Sequence, residues 1–279
     1  MSTSLLKFIA MIMMLLDHIW FFFDKSPYWF HWIGRIAAPI FIYCCVIAYN
    51  HTKSRKQYFI RLYLLGLVVA GLDYFQGTNL NFITIILLII ISLFLIERFQ
   101  KKSKDRWVLL GIFIIFELLI SIYLLSLNSR GIAEQIVYLL SNIFINIMSV
   151  DGGIIFVLMG ICMNLFKEKK IKMISSLLLL TGCYLILFNT VISLKIFNYL
   201  IFIGFDLLAY IFNYCCTVLL GLTFYKINTD ILYGNPQWMM IFSLPFILSF
   251  NEQKGRNNKY LFYIFYPLHI FILYQLAYC

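Results

Sequence analysis

The chain is expected to fold as an all-α, polytopic transmembrane helical bundle. Three observations predict this. Hydrophobic residues make up 63% of the 279 and charged residues 12%. A soluble domain carries about 45–50% and about 25%. Mean hydropathy is +0.90. Apolar runs of about 15–22 residues recur from end to end, the length that crosses a bilayer. In lipid only helices and closed barrels satisfy their own backbone groups, and the two-residue alternation of a barrel strand is absent. One membrane domain over residues 1–279 is expected, with no soluble domain of useful size.

In chain order, full spans are expected at 5–23, 32–50, 58–74, 81–97, 107–127, 171–191, 205–226 and 260–278. Segments 133–148, 152–166 and 236–250 are short for a crossing, and 192–204 is interrupted by Lys195 and Gly204. The total is about 10 spans. The first run reads as a retained span, not a signal peptide. Lys7 is a thin basic flank, and no small-residue cleavage site precedes Trp20-Phe-Phe-Phe23.

Orientation follows from Lys and Arg placement. Basic residues gather at Lys53, Arg55, Lys56 and Arg61, again over 98–106, and again at Lys167, Lys169, Lys170 and Lys172. Segment 75–80 has none, and 128–134 has only Arg130. The N-terminus is therefore expected in the cytoplasm. The 167–172 cluster lies inside only if 133–166 crosses once, which makes one of its two short segments re-entrant or interfacial. Lys254, Arg256 and Lys259 pose the same question for 236–250, and the sequence leaves it open. Abundant Ile, Lys and Asn point to an AT-rich bacterial genome, hence a multi-pass protein of a bacterial inner membrane.

The net charge of +10 is mostly this topology signal, with anionic lipid as the plain partner. A sharper reading is an anionic cytosolic substrate such as a nucleotide-bearing coenzyme. Nucleic acid is excluded as a partner, since no soluble basic face exists to present. The seven cysteines form no CxxC and no His/Cys spacing suited to zinc, so no metal, disulfide or catalytic thiol is assigned.

Four constellations carry chemistry. The first is Asp17-His18, inside the first span. An intramembrane ionisable residue costs on the order of 2–3 kcal/mol or more at the bilayer centre and is a functional candidate by default. Adjacent helical residues point about 100° apart, so each is expected to meet a different helix. His18 has the intrinsic basicity of a general base. The second is Gly34-Arg-Ile-Ala-Ala-Pro-Ile-Phe41. Arg35 can snorkel to the interface or turn inward to Asp17 or a substrate anion. Pro39 is expected to kink the helix. The third is the basic entry to a span, from His51 to Arg61, suited to phosphate or anionic lipid. The fourth is Tyr260-Leu-Phe-Tyr-Ile-Phe-Tyr-Pro-Leu-His269 in the last span, where Tyr263 and Tyr266 fall near the face of His269. An interfacial aromatic belt explains the tyrosines but not the histidine.

These blocks resemble a known family. Leu6-Lys-Phe-Ile-Ala10, Met14-Leu-Leu-Asp-His18, the Gly34–Phe41 block, His51-Thr52, Tyr58, Arg61-Leu62 and Phe262-Tyr-Ile-Phe-Tyr-Pro-Leu-His269 are similar to the TraX family, named for a conjugation protein that N-acetylates a pilin subunit. Between about 100 and 250 the likeness is in hydropathy alone, apart from Asp151-Gly152-Gly153. The family in turn resembles the large membrane acyltransferase superfamily, so an acyltransferase-like bundle is implied. His18, Pro39 with Phe41, and Arg61 match that superfamily's first-helix His, second-helix Pro-Phe and third-helix Arg.

The resemblance implies an acetyl-CoA-dependent acetyltransferase acting on the N-terminal amine of a pilin-like or other surface protein. Acetyl-CoA would meet Lys53, Arg55, Lys56 and Arg61 through its phosphates. His18 would take the proton of the acceptor, Arg35 or a tyrosine would steady the oxyanion, and Asp17 would orient a base or pair with an Arg. His269 is the rival base. Two other functions remain open. One is O-acetylation of a cell-surface glycan. The other is a non-enzymatic transporter or assembly component of a conjugation or secretion apparatus, for which Glu117 and Asp206 would suit proton coupling.

Overall fold

The computed structural model describes residues 1–149, 153–220, 230–255 and 259–278, and it is helical with no strand among them. Asp151 and Gly152, Arg256, and the end of the expected span 205–226 lie outside the described residues. Contacts group the chain into two compact units, Met1–Cys45 with Leu165–Cys279, and Val46–Asn164.

Among the described residues seven helices are long and apolar enough to cross a membrane: Thr3–Phe22, Trp29–His51, Arg55–Gln76, Ile83–Gln100, Arg106–Ser129, Lys170–Asn189 and Tyr260–Tyr278. They coincide with seven of the eight full spans expected from hydropathy. The eighth, 205–226, ends outside the described residues. Its described part is a short helix, Asp206–Tyr214, running into a π-helical turn at Cys215–Leu219. Ile154–Leu165, Ile192–Phe202 and Pro236–Leu248 are shorter apolar helices.

In the first unit, α1 (Thr3–Phe22) starts at Ser2, whose side chain accepts the Leu5 N–H. This N-cap satisfies one of the orphan donors of the first turn. Leu6, Ala10, Met14, His18 and Phe22 recur every fourth residue and form its buried stripe. The segment before α1 is clamped to 249–254. The Met1 amine donates to Ser249 O. Thr3 N–H donates to Gln253 O at 2.9 Å, Ser4 N–H to Lys254 O at 3.2 Å and Asn251 N–H to Met1 O at 2.9 Å. Residues 249–254, Lys254 among them, therefore lie beside the N-terminus.

A short helix α2 (Trp29–Gly34) packs closely on α1, and α3 (Ala37–His51) follows. Pro39 stands in the first turn of α3, where its missing N–H removes no hydrogen bond. The expected kink falls at the turn Arg35-Ile36, where a straight helix would drive the Pro39 ring into the Arg35 carbonyl. The last helix of this unit, α13 (Lys259–Tyr278), packs on α1 and carries Pro267 in its interior. Between α3 and α13 in sequence this unit also holds α9 (Lys170–Asn189), α10 (Ile192–Phe202), α11 (Asp206–Tyr214), a 3-10 helix at Pro236–Ser243 that contacts α2, and α12 (Leu244–Leu248).

The second unit takes its core from α5 (Ile83–Gln100), which is buried almost continuously from Ile83 to Ile90. It forms a hairpin with α4 (Arg55–Gln76). The turn is closed by Gly77, at φ +67°, and by Asp73, whose carboxylate accepts the Thr78 hydroxyl at 2.6 Å and the Leu80 N–H at 3.2 Å. A left-handed φ next to a capping carboxylate is the ordinary end of such a helix. Helix α6 (Arg106–Ser129) follows, with α7 (Glu134–Ile143) after it. Beyond a 3-10 turn at Ile147–Ser149 comes α8 (Ile154–Leu165). At 1.5 Å per residue neither α7 nor α8 spans about 30 Å. Asn142 ties α7 to the hairpin, accepting from Asn81 Nδ2 at 2.9 Å and from the Thr84 hydroxyl at 2.5 Å.

Candidate functional site

Asp17 and His18 meet different helices, as adjacent helical positions must. His18 is 7% exposed and faces α13; Asp17 faces α2.

His18 Nδ1 and His269 Nε2 are 2.6 Å apart, with the rings parallel to within 3°. The other nitrogen of His269, Nδ1, lies 2.8 Å from the Phe265 carbonyl oxygen. A carbonyl only accepts, so His269 Nδ1 carries the proton. In a neutral ring Nε2 is then an acceptor, and His18 Nδ1–H is the donor to it. The chain runs from His18 through His269 to Phe265, one turn back along α13. Its last consequence is that His18 Nε2 is left with a lone pair. Phe265 stacks on His269 at 4.6 Å between centroids, and Tyr266 meets it edge-on at 5.8 Å, holding the ring in place.

Asp17 is the anchor of a second cluster. Its Oδ1 accepts from His31 Nδ1 at 2.7 Å and its Oδ2 from Arg35 Nη2. Arg35 Nη1 also donates to Gln237 Oε1 at 3.0 Å. His31 and Arg35 stand one turn apart, which puts them on one face. The break at Arg35-Ile36 lets the guanidinium turn back toward α1. Trp20 stacks on His31 at 3.9 Å. Trp32 Nε1 donates to Leu232 O and the Tyr28 hydroxyl to Tyr233 O, so both aromatic residues fix this end of α2 to the 230–240 segment. Gly34 makes the approach possible: a Cβ there would stand 2.2 Å from Asp17 Cβ.

The four residues expected to act chemically, His18, Asp17, His269 and Arg35, are thus together in the first unit. His31 and Gln237 complete the arrangement and were not legible as site residues. The signal for His31 was its one-turn spacing from Arg35.

The four residues expected to meet acetyl-CoA lie in the second unit. Arg55 and Lys56 line a cavity of about 520 Å³ together with Tyr49, Phe94, Arg98 and Lys101, among others. Arg55 pairs with Glu97 at 2.5 Å and lies 4.3 Å above the Tyr49 ring. Lys53 and Arg61 are exposed and do not line this cavity. Arg98 and Lys101 take their place. They come from the second basic segment, which reads in the sequence as topology alone. Four cations against Glu97 make a mouth suited to a phosphate-bearing ligand. Among the described residues no group of three or more His, Cys, Asp or Glu side chains is placed to hold a metal ion.

Neither a curated protein nor a solved structure matches the chain. The family model described as TraX protein matches residues 2–181, which hold the Asp17-His18 pair, the Arg35 block and the whole of the second unit. That match covers well over half of the sequence, and the chain belongs to the TraX family.

Proposed function

We propose that this membrane protein is an acetyl-CoA-dependent acetyltransferase that modifies the N-terminal amine of a pilin-like or other surface protein. The observation that carries the reading is the hydrogen-bond chain from Phe265 O through His269 to His18, which leaves Nε2 of a buried histidine as an aligned base. As a neutral amine attacks the thioester carbonyl, a new N–C bond forms and the amine proton passes to His18 Nε2. The C–S bond then breaks, and the thiolate departs with that proton. Arg35 supplies fixed positive charge near the developing oxyanion, and Asp17 holds both Arg35 and His31 in register. A positioned base supplies about 10²–10⁴-fold, so positioning of the two substrates must supply much of the rest. Mass spectrometry of surface proteins and glycans tests the reading. An acetyl mass on a pilin N-terminus should be present in wild-type cells and absent on deletion. A loss confined to a glycan would overturn the choice of acceptor.

His18 lies 15 residues beyond Thr3, about 23 Å along α1. With a cytoplasmic N-terminus this depth is nearer the outer leaflet, which suits an acceptor presented from outside. The orientation has its own test. A cysteine placed at residue 54 should react with a membrane-impermeant thiol reagent only in opened cells, and one at residue 79 should react in intact cells. The reverse pattern would invert the topology and the side of acetyl delivery.

The cationic cavity of the second unit is the part suited to the donor's phosphates. Arg98→Ala is expected to raise KM for acetyl-CoA about tenfold with kcat little changed, and more so at low salt. Lys53→Ala and Arg61→Ala should have smaller effects, because those side chains are exposed away from the cavity. An unchanged KM in Arg98→Ala would reduce the basic segments to topology signals.

A further inference from the structure

We propose that a second cavity in the second unit, between α4, α6 and the break that follows α7, binds a primary ammonium group, with Glu117 as its counter-charge. The cavity has a volume of about 250 Å³ and is walled largely by rings: Phe59, Tyr63, Phe113, Phe116 and Phe144. Among the described residues Glu117 is the one charged residue on its lining. It lies 11 residues beyond Arg106, about 17 Å along α6 and so at the depth of the bilayer centre. A carboxylate there is expensive unless it is matched.

The surroundings match only half of it. Oε2 accepts from Asn146 Nδ2 at 2.8 Å and from the Ile147 N–H at 3.2 Å. Among the described residues Oε1 accepts no hydrogen bond and no cationic side chain pairs with Glu117. The half that is matched is built at a structural expense. Ile145 adopts φ +55°, a left-handed conformation that a β-branched residue rarely enters. That residue turns the backbone after α7 so that Asn146 and the Ile147 N–H reach Glu117. Asn146 is fully buried and also donates to Ser121 Oγ at 3.1 Å. Strain of this kind persists where neighbouring contacts over-determine it, and such places are commonly ligand clamps.

The chemistry of the ligand follows from the walls. Aromatic faces attract cations and a carboxylate attracts them further, whereas both repel anions. Non-helical backbone at membrane depth is tolerated where it lines a cavity. The volume admits an alkylammonium of several heavy atoms but not a large head group with its chains. A primary amine on a slim chain that can reach this depth, such as a free peptide amine, is therefore the group recognised. The assignment does not rest on the acetyltransferase reading and needs no turnover to be tested.

The test is a binding measurement on the full-length protein in detergent, with n-butylammonium chloride as the probe and sodium chloride at equal ionic strength as the control. Saturable binding is expected, with 1-butanol failing to compete. Glu117→Gln should weaken Kd at least about tenfold. Phe144→Leu, which removes a ring and leaves the carboxylate, should weaken it several-fold and keeps the proposal testable if the Gln variant does not fold. Two competitors then test the source: a short peptide with a free or an acetylated N-terminus, and phosphatidylethanolamine in nanodiscs, whose amine stays at the interface. Competition by the free peptide alone supports the site. Competition by the lipid or by neither peptide, an unchanged Kd in Phe144→Leu and folded Glu117→Gln, or equal displacement by butanol overturns it.

Discussion

His18→Ala is expected to abolish acetyl transfer while leaving the protein folded and inserted. His18→Gln is the stricter variant. Its amide keeps a hydrogen bond toward His269 Nε2 but accepts no proton, so activity should fall by about 10²–10⁴-fold, with the loss in kcat. His269→Ala removes the acceptor that fixes the His18 tautomer and ring angle. It should lower kcat less, since an unoriented imidazole is still a base. His31→Ala separates the two histidine arrays. His31 donates to Asp17 and is held by Trp20, an arrangement that could itself orient a base. The readout is the acetylated fraction of acceptor, quantified by mass against the amount of inserted enzyme. If His18→Gln retains most activity and His31→Ala is dead, then Asp17 orients the true base and the His18–His269 pair is structural.

The membrane spans were legible because a helix in lipid has little freedom. Its length is set by the bilayer and its composition by the hydrocarbon, and seven of the eight expected spans stand close to where hydropathy put them. The stretch 205–226 is helical over its described part, and its end lies outside the described residues. The helix Asp206–Tyr214 gives way to a π turn at Cys215, and no Gly or Pro marks the place. Pro39 interrupts its span as the sequence predicts, and the structure adds the place: a turn at Arg35-Ile36, with the helix resuming at Ala37 and Pro39 in its first turn.

The site was half legible. An acid and an imidazole inside a span have no packing rationale, so Asp17 and His18 could be singled out from cost alone. Their partners could not, because a partner 251 residues away, as His269 is from His18, is a fact of packing. His31 sits just before the expected span 32–50. Its meaning appears when Gly34 lets α2 approach α1. The basic segments were read by net charge, which assigns a side of the membrane but not a pocket. Lys53 and Arg61 share that charge with Arg55 and Lys56, yet only the latter two point into the cavity with Arg98 and Lys101.

Asp17→Asn is expected to destabilise the protein by on the order of 3 kcal/mol, the scale for stripping one partner from a largely buried ion pair. Asp17 and Arg35 are only 14% and 21% exposed as side chains, and Arg35 would keep its charge beside Gln237 after losing the Asp17 carboxylate. Arg35→Gln should cost a similar amount. The double variant should cost clearly less than the sum, since removing both charges leaves neither stranded. Gly34→Ala probes the same contact by shape. The added Cβ would stand 2.5 Å from Asp17 Cγ and Oδ1, on the rigid stem of the side chain, so α1 and α2 must separate. Overpacking of this kind costs about 1–3 kcal/mol, and separation would also lengthen the Asp17–His31 hydrogen bond. Thermal unfolding in detergent, run on all four variants, checks the set. Additive losses in the double variant would mean that the two charges act independently. A Gly34→Ala protein as stable and as active as the wild type would mean that the approach of α2 to Asp17 is not what holds the cluster.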